Sequence, residues 1–188
     1  RAFLIVSPNG NVLWDCVPFL DAKTVDFINL QGGLSAISIS HPHYYSNMNT
    51  WSTLFDCPVY IHEEDAPYVY FSSEKIRYWE GEECLLWDNI KLVNIGGHYK
   101  GSSIIIIPSL SERGVMLTGD TLYLSLNKRH YSVMYSYPNR IPLPISQVGV
   151  IREKFRHLDF DEIYGFYSYQ NLTENAVELL DSSLGRYC

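Results

Sequence analysis

The residues with the most chemistry in this sequence are three histidines and an aspartate, each standing where an apolar run stops. Ile39-Ser40 stops at His41-Pro42-His43, Val93-Asn94-Ile95-Gly96-Gly97 at His98, and Met116-Leu117-Thr118-Gly119 at Asp120. Imidazole nitrogens suit zinc or iron, and a carboxylate completes such a donor set. Side chains at the carboxyl ends of neighbouring strands can converge above a sheet. His41, His43, His98 and Asp120 are therefore read together as one metal site. Singly the signals are weak, because His-x-His is frequent and Thr-Gly-Asp is an ordinary turn. Their succession, each after a strand-like run, carries the reading. The glycines before His98 and Asp120 let the backbone turn sharply and come close to an ion. Pro42 stiffens the link between the first two histidines. The remaining histidines are poorer candidates. His62, beside Glu63, Glu64 and Asp65, is expected to be exposed or to cap a helix. His157 is expected in solvent, and His130, in a Tyr-rich loop, is a candidate for a pocket wall.

The elements that must hold these residues follow from periodicity. Apolar runs at 2–6 and 11–14 flank Asn9-Gly10, a pairing that predicts a β-hairpin. Helical spacing behind an Asp21 cap predicts a helix over 21–30, stopped by Gly32-Gly33. Further expectations are a strand over 34–40, a helix over 46–55 and a strand over 58–61. A short helix over 63–71, interrupted by Pro67, follows. Strand material over 85–95 turns at Asp88-Asn89. Strands over 102–107 and 115–118, a helix over 144–158, a strand over 162–165 and a helix over 173–184 capped by Thr173 complete the chain. Alternating strands and helices after an opening hairpin predict one layered α/β domain over residues 1–188.

With 188 residues and 46% hydrophobic composition, the chain can bury one sizeable core. A net charge of -7, with no basic cluster beyond Lys128-Arg129-His130, counts against a nucleic-acid partner. The longest aliphatic run, 104–107, is far too short to cross a bilayer, so no membrane partner is expected. Cys16, Cys57, Cys84 and Cys188 are scattered without a C-x-x-C spacing, which argues against a cysteine zinc site. Cys16 and Cys57, among apolar residues, read as buried free thiols, and the setting as reducing and cytoplasmic. The chain opens on Arg1 without an initiator Met, so a processed or upstream N-terminus is expected.

The order strand–His41-x-His43–helix, then Gly96-Gly97-His98, then Leu117-Thr118-Gly119-Asp120, resembles the metallo-β-lactamase superfamily. Ser40-His41-Pro42-His43 looks like its first motif, and Gly97-His98-Tyr99-Lys100-Gly101-Ser102 like its second. The resemblance runs from the opening hairpin to Tyr164. It implies a four-layer αββα sandwich with metal at the sheet edge. It also marks departures. The family's first motif is His-x-His-x-Asp-His, and its last two positions are Tyr45 and Ser46 here. Its final histidine follows a late strand, where this chain reads Ile163-Tyr164-Gly165-Phe166-Tyr167. Ligands of a second metal are thus missing, while Asp120, matching a residue that bridges two metals in many members, is kept. One ion per chain is implied, zinc with iron as the alternative.

A three-histidine site with an open position can lower the pKa of bound water to about 7. In such a site Asp120 is the fourth ligand or the base. Tyr44 and Tyr45 are candidates to line the pocket and donate to a developing oxyanion, with ordinary packing as the competing reading. Asp15 resembles an aspartate that braces the metal loops. The Tyr- and Pro-rich stretch 131–144 is a substrate-facing wall or a stiff surface loop. The expected function is hydrolysis of a small ester, thioester or lactone. The alternative is a non-catalytic binding or scaffold domain that has lost metal. A nuclease is disfavoured by the acidic charge and the missing second metal. Oligomeric state is not set by the sequence.

Overall fold

Two five-stranded sheets face each other in the computed structural model, which describes residues 1–188. The first runs β1 (Phe3–Ile5), β2 (Val12–Trp14), β3 (Ala36–Ser38), β4 (Val59–His62), β5 (Ile76–Trp79) in spatial order. Its opening pair is the expected antiparallel hairpin, and β2 to β5 are parallel. The second sheet holds β6 (Glu83–Leu85), β7 (Lys91–Asn94), β8 (Ser103–Ile107) and β9 (Val115–Leu117), all antiparallel. Two short ribbons follow, β10 (Tyr123–Leu124) with β11 (Tyr131–Ser132) and β12 (Met134–Ser136) with β13 (Ile141–Pro142). The last strand, β14 (Glu162–Tyr164), returns parallel to β9 at the sheet edge. The helices are α1 (Ala22–Leu30), α2 (Met48–Phe55), α3 (Ile145–Arg156) and α4 (Ala176–Gly185).

Period-two alternation explains the layering. Ile105 and Ile107 of β8 point between the sheets with Leu92, Val115, Leu117, Val12 and Trp14. Their neighbours Ile104 and Ile106 point the other way, onto Val148, Ile151 and Phe155 of α3 and Leu180 and Leu184 of α4. On the far side of the first sheet, Leu13, Ile37, Val59 and Ile61 pack on Ile28 of α1 and on Met48 and Trp51 of α2. The result is the αββα order. Each buried large aliphatic side chain contributes roughly 1.5–3 kcal/mol. A one-residue slip of β8 would therefore turn its isoleucines onto the wrong layers.

Local signals were read correctly where they were strong. Asp21 caps α1, its carboxylate accepting the Thr24 N–H at 2.8 Å. The predicted helix over 46–55 begins as a 3₁₀ turn, Pro42–Asn47, before α2. The predicted helix over 63–71 is only a 3₁₀ segment, Glu63–Tyr68, because Pro67 removes a backbone donor. Thr173 does not cap α4: the helix starts at Ala176 behind Asn175, whose φ is 53°. Strand β5 and the four ribbon strands escape prediction because runs of two to four residues show too little period. No helix is long and apolar enough to cross a membrane. All four cysteines are free, with Cys16 and Cys57 buried.

Candidate metal centre

His41 follows β3, His98 follows β7 and Asp120 follows β9, while the 3₁₀ turn behind His41 carries His43 to the same point. One donor atom from each of the four lies within 4.8 Å of the others. Asp120 Oδ2 is 3.4 Å from His41 Nε2 and 3.6 Å from His43 Nδ1. His98 Nε2 lies 3.4 Å from His43 Nδ1. Gly119 makes this approach possible. Its φ is +54°, and a Cβ there would lie 2.5 Å from Ser40 Oγ.

Outer contacts decide which nitrogens face inward. His98 Nδ1 is 2.8 Å from the Tyr135 carbonyl oxygen. A carbonyl only accepts, so Nδ1 carries the hydrogen and Nε2 turns its lone pair to the cluster. His41 Nδ1 is 2.8 Å from Ser40 Oγ. That hydroxyl reaches Asp15 Oδ2 at 3.0 Å, and the Ser40 N–H donates to Asp15 Oδ1 at 2.8 Å. Asp15 thus braces the first histidine through Ser40, the role the resemblance implies. His41 Nε2 is left buried without a hydrogen-bond partner, and so is Asp120 Oδ1. Unpartnered buried polar atoms are costly. A divalent cation among these four donors would satisfy both, so the residues present fit a metal ion.

The electrostatics agree. Burial, reinforced by neighbouring His41, pushes the His98 imidazole down to about 4. Burial lowers His41 too, against the pull of Asp120. For Asp120 burial works upward, but the imidazoles of His41 and His43 close beside it outweigh that and hold the carboxyl well below the usual range. Burial raises Asp15 to about 7 despite its two bonds from Ser40. At neutral pH, His41 and His98 are therefore neutral donors beside an ionised Asp120.

The two candidate tyrosines part company. Tyr44 is half-buried with its ring 5.2 Å from that of His41. Burial, then Asp15 and Asp120, push its phenol up, so it stays protonated. Tyr45, expected at the pocket, is a correction: it is 6% exposed and packs with Met48 and Trp51 behind the first sheet. His62 is buried and caps the 3₁₀ segment, accepting the Glu64 N–H at 3.2 Å. His157 is exposed and pairs with Glu153 at 3.2 Å. His130 is exposed on a separate depression with Tyr123, Tyr187 and Arg186, outside the cluster. The stretch 131–144 reaches the centre through the Tyr135 carbonyl.

Where the resemblance places a second metal, this chain has other groups. Ser46 is exposed. After β14, the Gly165 carbonyl accepts from Arg1 Nε at 3.0 Å, and the Phe166 ring lies 4.6 Å from Tyr167 and 5.9 Å from Tyr123. One residue at the centre, and one that holds the loop after His98, were missed in the sequence. The Tyr99 phenol oxygen is 3.1 Å from His43 Nε2. Asp65 accepts the Gly101 N–H at 2.8 Å, and burial raises its carboxyl to about 6. Adjacency to His98 was the only signal for Tyr99, and Asp65 was hidden in an acidic run.

No family model matches the sequence. The uncharacterized protein YmaE of Bacillus subtilis (strain 168) is 42% identical over 187 residues, covering 99% of this chain and 68% of the relative. Among solved structures, TTHA1623 in a di-iron-bound form superposes with a TM-score of 0.69 at 18% identity, over 95% of this chain and 90% of that one. The metallo-β-lactamase SMB-1 in complex with mercaptoacetic acid gives 0.65 at 15% identity, over 99% and 87%. BJP-1, a subclass B3 metallo-β-lactamase of Bradyrhizobium japonicum, gives 0.58 at 16%, over 87% and 70%. At these identities the structural likeness speaks for the fold alone.

Proposed function

The chain belongs to one family with Bacillus subtilis YmaE and has the metallo-β-lactamase fold, and from that premise we propose that it is a metal-dependent hydrolase. In this reading one ion, zinc or iron, is held by His41 Nε2, His43 Nδ1 and His98 Nε2 with Asp120. The observation that carries it is the pair of buried, partnerless atoms, His41 Nε2 and Asp120 Oδ1, within a convergent donor set. One ion is proposed because Tyr45 lies in the core, Ser46 is exposed and no histidine follows β14.

When bound, such an ion supplies a Lewis acid and an activated water at neutral pH. The chain's own residues do the rest. Asp120, held ionised, would be the fourth donor or would orient the attacking water through a hydrogen bond. Tyr44, held protonated, can donate a hydrogen bond to an oxyanion forming beside His41. A carbonyl carbon with a competent leaving group fits this equipment, so the substrate class is a small ester, thioester or lactone.

The test is metal content per chain, by elemental mass spectrometry on protein purified without chelator, alongside H41A and H98A. About one zinc or iron per chain, lost in both variants, is the expected result and licenses an ester and thioester screen. No bound metal and no uptake of added zinc would sink this reading. The fold would then serve as a binding domain.

A further inference from the structure

We propose that Tyr99 is the positioning residue for His43, fixing the nitrogen that His43 turns to the metal. The proposal rests on the metal reading above. Of the three imidazoles, those of His41 and His98 are buried, and each has its outer nitrogen held, by Ser40 Oγ and by the Tyr135 carbonyl. His43 has a side chain 52% exposed, so burial does not orient it. Its Nδ1 faces Asp120 and His98, and its outer Nε2 meets one protein group, the Tyr99 phenol, at 3.1 Å. A phenol oxygen accepting the Nε2–H leaves Nδ1 with a free lone pair directed at the cluster.

Tyr99 is itself well placed to do this. Its ring stacks on His41 at 5.9 Å with planes 29° apart and meets His98 edge-on at 4.9 Å. Tyr68 packs against its other side at 5.0 Å. The backbone beneath it is held at three points. The Tyr99 N–H donates to Ser102 Oγ at 2.9 Å, Asn94 Nδ2 to the Lys100 carbonyl at 3.0 Å, and the Gly101 N–H to the buried Asp65 at 2.8 Å. A Cβ on residue 101 would lie 2.5 Å from Asp65 Cγ, so only glycine lets the loop sit this close. One loop, 97–102, therefore supplies both a ligand, His98, and the brace of another, His43. This couples donors that arrive from different sheets.

The experiment is zinc affinity by chelator competition for wild type and Y99F, which keeps the ring and removes only the oxygen. Long-range ¹H–¹⁵N spectra of the zinc-loaded proteins report the state of the His43 ring. Y99F is expected to bind zinc about 10–100-fold more weakly, the loss seen when a ligand's outer hydrogen bond is removed. Thermal unfolding of metal-free Y99F is expected to match wild type. The His43 Nε2–H resonance, protected in wild type, is expected to exchange rapidly with water in the variant. Y99F affinity within twofold of wild type, with that resonance unchanged, overturns the role of Tyr99 while leaving the metal reading intact. Wild type that takes up no zinc overturns both.

Discussion

Two neighbouring corners of the molecule start from similar strand ends and finish differently. At one, β3, β7 and β9 deliver His41, His98 and Asp120 to a point where donor atoms lie within 4.8 Å of each other. At the other, β14 and the 3₁₀ turn after His41 deliver Phe166, Tyr167 and Ser46, with Tyr45 turned into the core and Arg1 bonded to the Gly165 carbonyl. The polar corner keeps partnerless buried atoms that an ion would satisfy. In the other corner, rings and the Tyr45 core contact stand where donors would be. An ion site thus depends on several strand ends and on outer groups such as Asp15, Ser40, Tyr99 and the Tyr135 carbonyl.

Writing the missing ligands back is the largest perturbation of the two corners. The double variant Y45D/S46H places a carboxylate where a nearly buried ring now packs beside Met48 and Trp51. It is expected to lose about 3–5 kcal/mol in urea unfolding, the scale of a large core deletion with a polar group buried in its place. It is also expected to bind no second ion. A second equivalent of zinc taken up by a stable double variant would show that the aromatic corner is a latent site. On the polar side, G119A adds a methyl 2.5 Å from Ser40 Oγ at a left-handed φ of +54°. A stability loss of roughly 1–3 kcal/mol is expected, with weaker zinc binding because Ser40 holds His41. Unchanged zinc affinity would mean that Ser40 does not transmit the displacement.

The pH dependence of stability tests the loop that carries His98. The Asp65 carboxyl is raised to about 6 by burial, against about 3.9 in an unfolded chain. Between those values the folded state binds the proton and the unfolded state does not. Stability from this group is therefore present at low pH, falls as pH rises from about 4 to about 6, and is level above. In D65N that slope should become shallower, as read from urea midpoints across the range, and the fall that remains belongs to Asp15, which burial raises to about 7. An unchanged slope would assign it to another group.

The donor set was legible because each donor abuts an apolar run and its glycine or proline. The hairpin and α1 were legible because their punctuation, Asn9-Gly10 and Asp21, is local. The contacts of Tyr99 with His43, Tyr135 with His98 and Asp65 with Gly101 join residues from separate elements. No period or spacing encodes such meetings.

Residue types and their succession along the chain set the donors and their order, while the four layers were implied by the family resemblance. Strand alternation, as in Ile104 to Ile107, is a property of the backbone repeat and survives without a partner. Contacts between elements settle which nitrogen of each imidazole faces inward and which of two adjacent tyrosines reaches the site. Tyr44 and Tyr45 sit on a 3₁₀ turn, where successive side chains point about 120° apart. One must leave the other's face, and the packing of that turn between the first sheet and the metal corner chooses Tyr44 for the centre and Tyr45 for the core.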